Sequence, residues 1–268
     1  MLKYFFINIL FLVLNCSKPL SAQISKDTTP NDSIKTSYVS SWLIDSKKLI
    51  TSPFRWNSKQ WITFGGAALI TSTAYLYDQE ILAVFQKNQN PTSGFISTNV
   101  GEYLGSGLYT FPLIAGFGVH GLITKNKRSS VVFLNSVKAY TFSSALVTIL
   151  KYSCHRHRPY DDDPSNPYLW DGPSLSSEHK SFSSGHAMTA VTLLSSVALE
   201  YSDKNIIPVI CYTLAATAAL SRVYDNKHWM TDVLTSSFLG WGIAKLVHNN
   251  PWTKQFEKRK KEKNKSQH

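Results

Sequence analysis

The sequence predicts an all-α protein, a six-helix bundle with its chemistry gathered at one end. Six apolar runs, at about residues 61–77, 103–124, 129–150, 187–199, 206–220 and 233–246, lack the strict alternation of half-buried strands. The clusters that mix cations, imidazoles and a carboxylate all fall where one of these runs ends or begins. If successive helices run up and down, those clusters meet at one end, built from the ends of helices three to six.

The ends of the chain differ in character from this core. Residues 1–22 read as a secretory signal. Lys3 supplies the positive start, 4–14 is apolar apart from Asn8, and Leu20-Ser21-Ala22 places small residues before Gln23. Eleven residues are too few to span a bilayer. Cys16 offers a lipoprotein alternative, although Val13-Leu14-Asn15 fits a lipidation box poorly. Residues 23–59 form a polar linker and then an amphipathic lead-in from about Trp42 to Trp56, with Pro30 and Pro53 as breakers and no visible chemistry. The helical core domain is expected at 60–248 and a basic, disordered tail at 249–268. From Lys254 to Lys265 that tail carries seven Lys/Arg against two Glu, a charge run suited to solvent or to anionic headgroups.

Several core features carry their own expectations. Pro112 should kink or break the second helix. Lys138, midway along the third, is costly if that face meets lipid. A short extra helix is expected at 79–86. The loop 160–182 links two of the polar clusters and must hang over the site, where long loops shape access. The 268-residue chain is 43% hydrophobic and 13% aromatic, enough for a sizeable core. Its mean hydropathy of -0.14 is low for a chain lying mostly in lipid. Export permits disulfides, but Cys154 and Cys211 are expected as free thiols.

The organising stretch is Ser221 to Asp232, at the break between the last two apolar runs. If a helix begins near His228, Asp232 lies one turn on and can hold one ring nitrogen as N–H, leaving the other free to attack. A capped helix end with a surface histidine is the competing reading. Lys151 to Pro159 closes the third run and Ser183-Ser184-Gly185-His186 opens the fourth. Together the clusters supply Lys151, Arg158 and Arg222 as cations, His186 and His228, Asp232, and a Ser-Gly turn. Cations converging beside histidines suit an oxyanion such as phosphate. Taken singly, Lys151 and Arg158 are ordinary basic residues, Ser184 is an N-cap, and Arg222 could pair with Asp225.

These stretches read K-x6-R-P, S-G-H and S-R-x5-H-x3-D. In order and internal spacing they resemble the three-part signature of the type 2 phosphatidic acid phosphatase and vanadium haloperoxidase superfamily, over about residues 64–247. Ser183 stands where that family usually has proline, which should loosen the turn modestly. The resemblance implies that His228 attacks phosphorus and forms a phosphohistidine, Asp232 orients its ring, and His186 serves as acid and then base. It also implies that Lys151, Arg158, Arg222, Ser184 and Gly185 hold the phosphate oxygens, with no metal and no other cofactor.

A vanadate-dependent haloperoxidase is the alternative enzyme; the family's haloperoxidases are generally longer chains. A non-enzymatic envelope protein is the third possibility, disfavoured because a structural bundle has no need of His186, His228 and Asp232 together. No nucleic-acid motif is present, and Asp161-Asp162-Asp163 does not match a calcium loop. His155, His157 and His179 lie in or near the site loops. The substrate is a phosphorylated small molecule or lipid, which the sequence does not choose between. Lys125, Lys127 and Arg128 mark the opposite end as cytoplasmic by the positive-inside rule, placing the site in the periplasm, on a membrane-embedded or membrane-associated protein. A cleaved signal and six full spans would place it inside, so the two signals conflict.

Overall fold

The computed structural model describes residues 37–162 and 164–254. The expected signal, Cys16, Asp163 and the charge run beyond residue 254 lie outside the described residues.

The described chain is helical, and its one piece of β-type pairing is an isolated bridge between Arg156 and Trp170. Helix α1 spans Tyr38–Thr51, α2 Ser58–Leu76 and α3 Asp78–Lys87. Helix α4 runs Pro91–Ser106 through a wider turn at Ser97–Gly101. Then follow α5 Thr110–Thr124, α6 Lys127–Cys154, α7 Gly185–Glu200, α8 Ile206–Tyr224 and α9 Met230–His248. The starts follow capping chemistry. Asn57 accepts from the Gln60 N–H while the Gln60 side chain returns the bond, Asn90 caps α4 with Pro91 behind it, and Asn126 caps α6.

Each apolar run became helix, and the short helix expected at 79–86 is α3. The second run is two helices rather than one. Gly107, at φ 95°, ends α4, and α5 sets off at 53° to it. The break thus falls just before Pro112, which occupies the first turn of α5, where its missing N–H costs nothing.

Helix α7 is the centre of the packing, with Ala187, Met188, Ala190, Leu193, Leu194 and Ala198 all almost fully buried. Helices α6, α8 and α9 pack around it. Helix α2 is the opposite case, since Ala74 is its one fully buried residue while Ile62 and Leu69 are 74% and 69% exposed. Cys154 and Cys211 are both free thiols, as expected.

Two boundaries differ from the sequence expectation. The lead-in is an integral helix, and the first residues of the expected tail are packed, with Trp252 and Thr253 buried. Lys138 is the reason. Its ammonium is fully buried, 2.9 Å from Asp45 Oδ2, and donates to the Ser41 hydroxyl. Asn250 donates to Asp45 Oδ1, and the Tyr38 and Trp252 rings cover the cation. The charge expected to trouble a lipid-facing helix instead recruits both flanking segments to α6.

Breaking a buried ion pair strands a charge at a cost of about 3–5 kcal/mol, whereas an apolar replacement of both partners is often neutral. Asp45→Ala should therefore lower thermal stability sharply, and Asp45→Leu with Lys138→Met should recover most of it. Melting of the purified variants by circular dichroism checks this; equal losses in single and double variants would contradict it.

Candidate active site

The site lies where the C-terminal end of α6, the start of α7, the α8–α9 turn and α4 converge. The α8–α9 turn is tight. Lys227 N–H and His228 N–H both donate to the Arg222 carbonyl, and Asn226 takes the left-handed conformation at φ 59°. His228 lies outside the helix it was expected to open. Helix α9 starts at Met230, because Asp232 is its third residue and accepts from the Trp229 N–H, a capping bond that fixes the helix start two residues beyond the histidine.

The His228–Asp232 pair forms nonetheless. His228 Nδ1 lies 3.5 Å from Asp232 Oδ2. Ser181 joins them, its hydroxyl 2.5 Å from the same carboxylate oxygen and 3.4 Å from Nδ1. Both contacts use Nδ1 and leave Nε2 as the atom free to react. Burial pushes the His228 imidazole down to about 4, with the Asp232 carboxylate only partly offsetting it, so the ring is neutral near pH 7. Burial also opposes ionisation of Asp232, but the Arg156 guanidinium, His228 and Ser181 outweigh it and hold the carboxyl at about 2.

Arg156 was not singled out from the sequence. It is fully buried and bridges Asp232 Oδ1 and Asp78 Oδ2, at 2.7 Å each, while donating to the Pro167 carbonyl. Asp78 also accepts from the Thr231 N–H and hydroxyl, so α3 grips the start of α9. Nothing in the run His155-Arg156-His157-Arg158 distinguishes the structural arginine from its neighbour. Asp78 opens a short helix and looks like any first-turn acid.

Glu102 was also missed. Its carboxylate lies 2.9 Å from His186 Nε2 and accepts from Arg222 Nη1. Small residues make the approach possible. A Cβ on Gly105 would meet the His186 Cβ at 2.8 Å, and one on Gly101 would meet the Ser221 Cβ at 2.4 Å. Two glycines four apart around a glutamate, on one helical face, were the available sequence signal.

The remaining expected residues are placed as follows. Arg222 is buried. It pairs with Asp225 at 2.7 Å as well as with Glu102, so the surface pairing considered for it is formed, but in the interior. With Nε on Ser221, two of its five N–H groups remain for a ligand. Lys151 donates to the Lys180 carbonyl, and burial together with the Arg158 charge lowers its ammonium to about 8. Both Lys151 and Arg158 act electrostatically on His228. Arg158 is held from outside by the Tyr160 hydroxyl, 2.7 Å away. Ser184 caps α7 through its hydroxyl, and a Cβ on Gly185 would meet nothing within 4 Å, which leaves open space at that helix start. Burial draws the His186 imidazole down while Glu102 opposes it. Ser183, in the proline position, has a buried hydroxyl without a hydrogen-bond partner. Trp229 is fully buried, its Nε1 donating to the His157 carbonyl.

A neutral imidazole backed by a carboxylate, a second imidazole, nearby cations and an open helix start suit the binding of an oxyanion. Comparison with known proteins agrees. The model of the PAP2 superfamily matches residues 133–256, the stretch that carries the three motifs. A lipid A 1-phosphatase of Porphyromonas gingivalis is 27% identical over 161 residues, 56% of this chain and 33% of that relative. The chain therefore spans about a third of the length of this curated relative. Among solved structures, the first transmembrane PAP2-type phosphatidylglycerolphosphate phosphatase from Bacillus subtilis shares the fold. It is 21% identical, with a TM-score of 0.50, over 83% of this chain and 96% of that one. Aquifex aeolicus LpxE matches 63% of this chain and 92% of its own, at 23% identity and a TM-score of 0.47.

The buried pair makes the fold acid-sensitive. His228 and Asp232 both titrate below their ordinary values of 6.5 and 3.8. The stability each contributes is complete above its ordinary value and lost as pH falls through the depressed one. The imidazole share is on the order of 3 kcal/mol. The melting temperature should fall between pH 6.5 and 4 and again below about 4, and His228→Gln should flatten the first fall. Thermal melts across that range test this.

Proposed function

We propose that this protein is a phosphoric ester hydrolase that removes phosphate from a lipid phosphate or pyrophosphate through a phosphohistidine. The observation that carries it is the buried, neutral His228 with Nδ1 turned to Asp232 and Ser181. His228 Nε2 attacks phosphorus as the P–O bond to the leaving group breaks, and His186 gives that oxygen a proton. Water then attacks phosphorus as the P–N bond breaks and loses a proton to His186, releasing inorganic phosphate and restoring His228. Lys151, Arg158, Arg222 and the Ser184–Gly185 turn hold the equatorial oxygens. Glu102 positions His186 and Arg222. No step is assigned to a metal.

A lipid substrate is supported by a groove of about 510 Å³ beside Glu102, at the α4–α5 break. Tyr103, Leu108, Phe111 and Pro112 are among its walls. It is also supported by the relatives' names, a lipid A 1-phosphatase and a phosphatidylglycerolphosphate phosphatase. Those relatives favour a phosphatase over the vanadate-dependent haloperoxidase.

Among the described residues, α8 is long and apolar enough to cross a membrane, and α4 with α5 passes the same test as one bent span. The exposed apolar side chains of α2, and Leu122 and Ile123 of α5, suit contact with lipid. The reading is an envelope protein, with its site placed on the periplasmic side by the positive-inside argument from Lys125, Lys127 and Arg128. A topology reporter inserted in the 160–182 loop should be active only outside the cytoplasm; activity only inside would overturn that orientation.

Purified protein should release phosphate from p-nitrophenyl phosphate and from lipid phosphates. His228→Ala and His186→Ala should each lower turnover by orders of magnitude without unfolding. Turnover should persist in excess EDTA and be inhibited by orthovanadate, which can take the five-coordinate shape of the transition state. Near-normal turnover in either variant would refute the mechanism, as would loss with chelator that a divalent ion restores in the wild type and equally in His179→Ala.

A further inference from the structure

The loop over the site carries a second cluster of functional groups that phosphate transfer does not use. His157, Asp171 and His179, from three separate points of the chain, bring one ligand atom each to within 4.8 Å of one another. His157 Nε2 is 3.2 Å from Asp171 Oδ1, and His179 Nδ1 is 2.6 Å from Asp171 Oδ2. The two imidazoles stack with centroids 3.6 Å apart and planes 21° from parallel, which sets their nitrogens side by side. The backbone holds this arrangement from outside. His157 N–H donates to the Leu169 carbonyl, Asp171 N–H to that of His155, and Ser181 N–H to that of Arg156.

We propose that His157, Asp171 and His179 bind a divalent transition-metal ion of the zinc type, which staples the 160–182 loop over the catalytic site. Two imidazoles and a carboxylate are a zinc-like donor set, and they leave a fourth position for water. Tetrahedral zinc with bonds of about 2.0–2.1 Å needs donors about 3.4 Å apart. The carboxylate now lies 3.2 and 2.6 Å from the two nitrogens, so binding opens these contacts and tilts the stacked rings toward one ion. Asp162 supplies an independent argument. It lies 2.9 Å from His157 Nδ1, the ring nitrogen that a metal on Nε2 leaves as N–H. A carboxylate behind a ligating histidine is the usual outer-shell arrangement, fixing the tautomer and raising the ring's basicity. The carboxylates of Asp171 and Asp162 balance the ion's two charges. Asp171 is about half exposed, giving the ion a way in. The donors are far apart in sequence, 14 and 8 residues, and match no short metal motif. This site is separate from the cationic cage and does not rest on the phosphatase reading.

The test uses untagged full-length protein, stripped with chelator and titrated with Zn²⁺ against a chromophoric chelator. One ion per chain is expected. His179→Ala and Asp171→Asn should each weaken binding at least tenfold, and Asp162→Asn about tenfold. Zn²⁺ should slow proteolytic cleavage within 160–182 in the wild type and not in His179→Ala. Circular dichroism establishes that the variants are folded. Failure of the wild type to bind Zn²⁺, or wild-type affinity in folded His179→Ala and Asp171→Asn, would show a hydrogen-bonded His–Asp–His cluster only and overturn the proposal. None of these readouts depends on catalysis, so they stand apart from the test of His228.

Discussion

The structure depends on one buried guanidinium. Arg156 reaches from the end of α6 to Asp232 in the first turn of α9 and to Asp78 at the start of α3. Without it, two carboxylates would be buried unpaired, at a cost of several kcal/mol each. With it, Asp232 stays ionised in a fully buried position and can serve His228. The Tyr75, Trp170 and Trp229 rings surround the cation at 4.9–5.4 Å. They exclude the water that would otherwise weaken the pairing. Geometry at the candidate nucleophile is thus inherited from an ion network in the layer beneath it.

That network marks the limit of what the sequence discloses. The apolar runs became helices because period and length were unambiguous, and the three motifs met because they lie at the ends of neighbouring helices. Arg156, Asp78 and Ser181 were not legible, because a polar residue shows its burial only through partners far along the chain, and Glu102 was marked only by its flanking glycines. Glu102 is 84 residues from His186, and Asp78 is 78 from Arg156. Local pattern also misplaced the start of α9. A His/Asp pair four apart implies one helical face, but the capping preference of Asp232 put the histidine outside.

Lys138 teaches the same lesson at the far end of α6. An isolated charge in an apolar run looks like a defect until its counter-ion is located, and Asp45 lies 93 residues earlier, in the amphipathic lead-in where the sequence shows no chemistry. Domain limits drawn from composition fell inside the packed unit on both sides for this reason. Arg128 repeats the pattern at the start of α6, bound to Asp203 and the Glu200 carbonyl across the α7–α8 turn.

The Glu102 bridge changes how the cage meets an anion. Counted alone, Lys151, Arg158 and Arg222 make a strongly attractive triple charge. In place, Glu102 and Asp225 return two negative charges to Arg222, and Asp232 is already matched by Arg156. What remains of the positive field is screened over about one Debye length, about 8–10 Å in ordinary buffers. Such a centre holds its donors partly occupied at rest. It recognises by close fit, and an arriving group must compete with an internal carboxylate for the same donors. A doubly charged oxyanion is better equipped for that exchange than a singly charged one, because it meets the same donors with twice the charge.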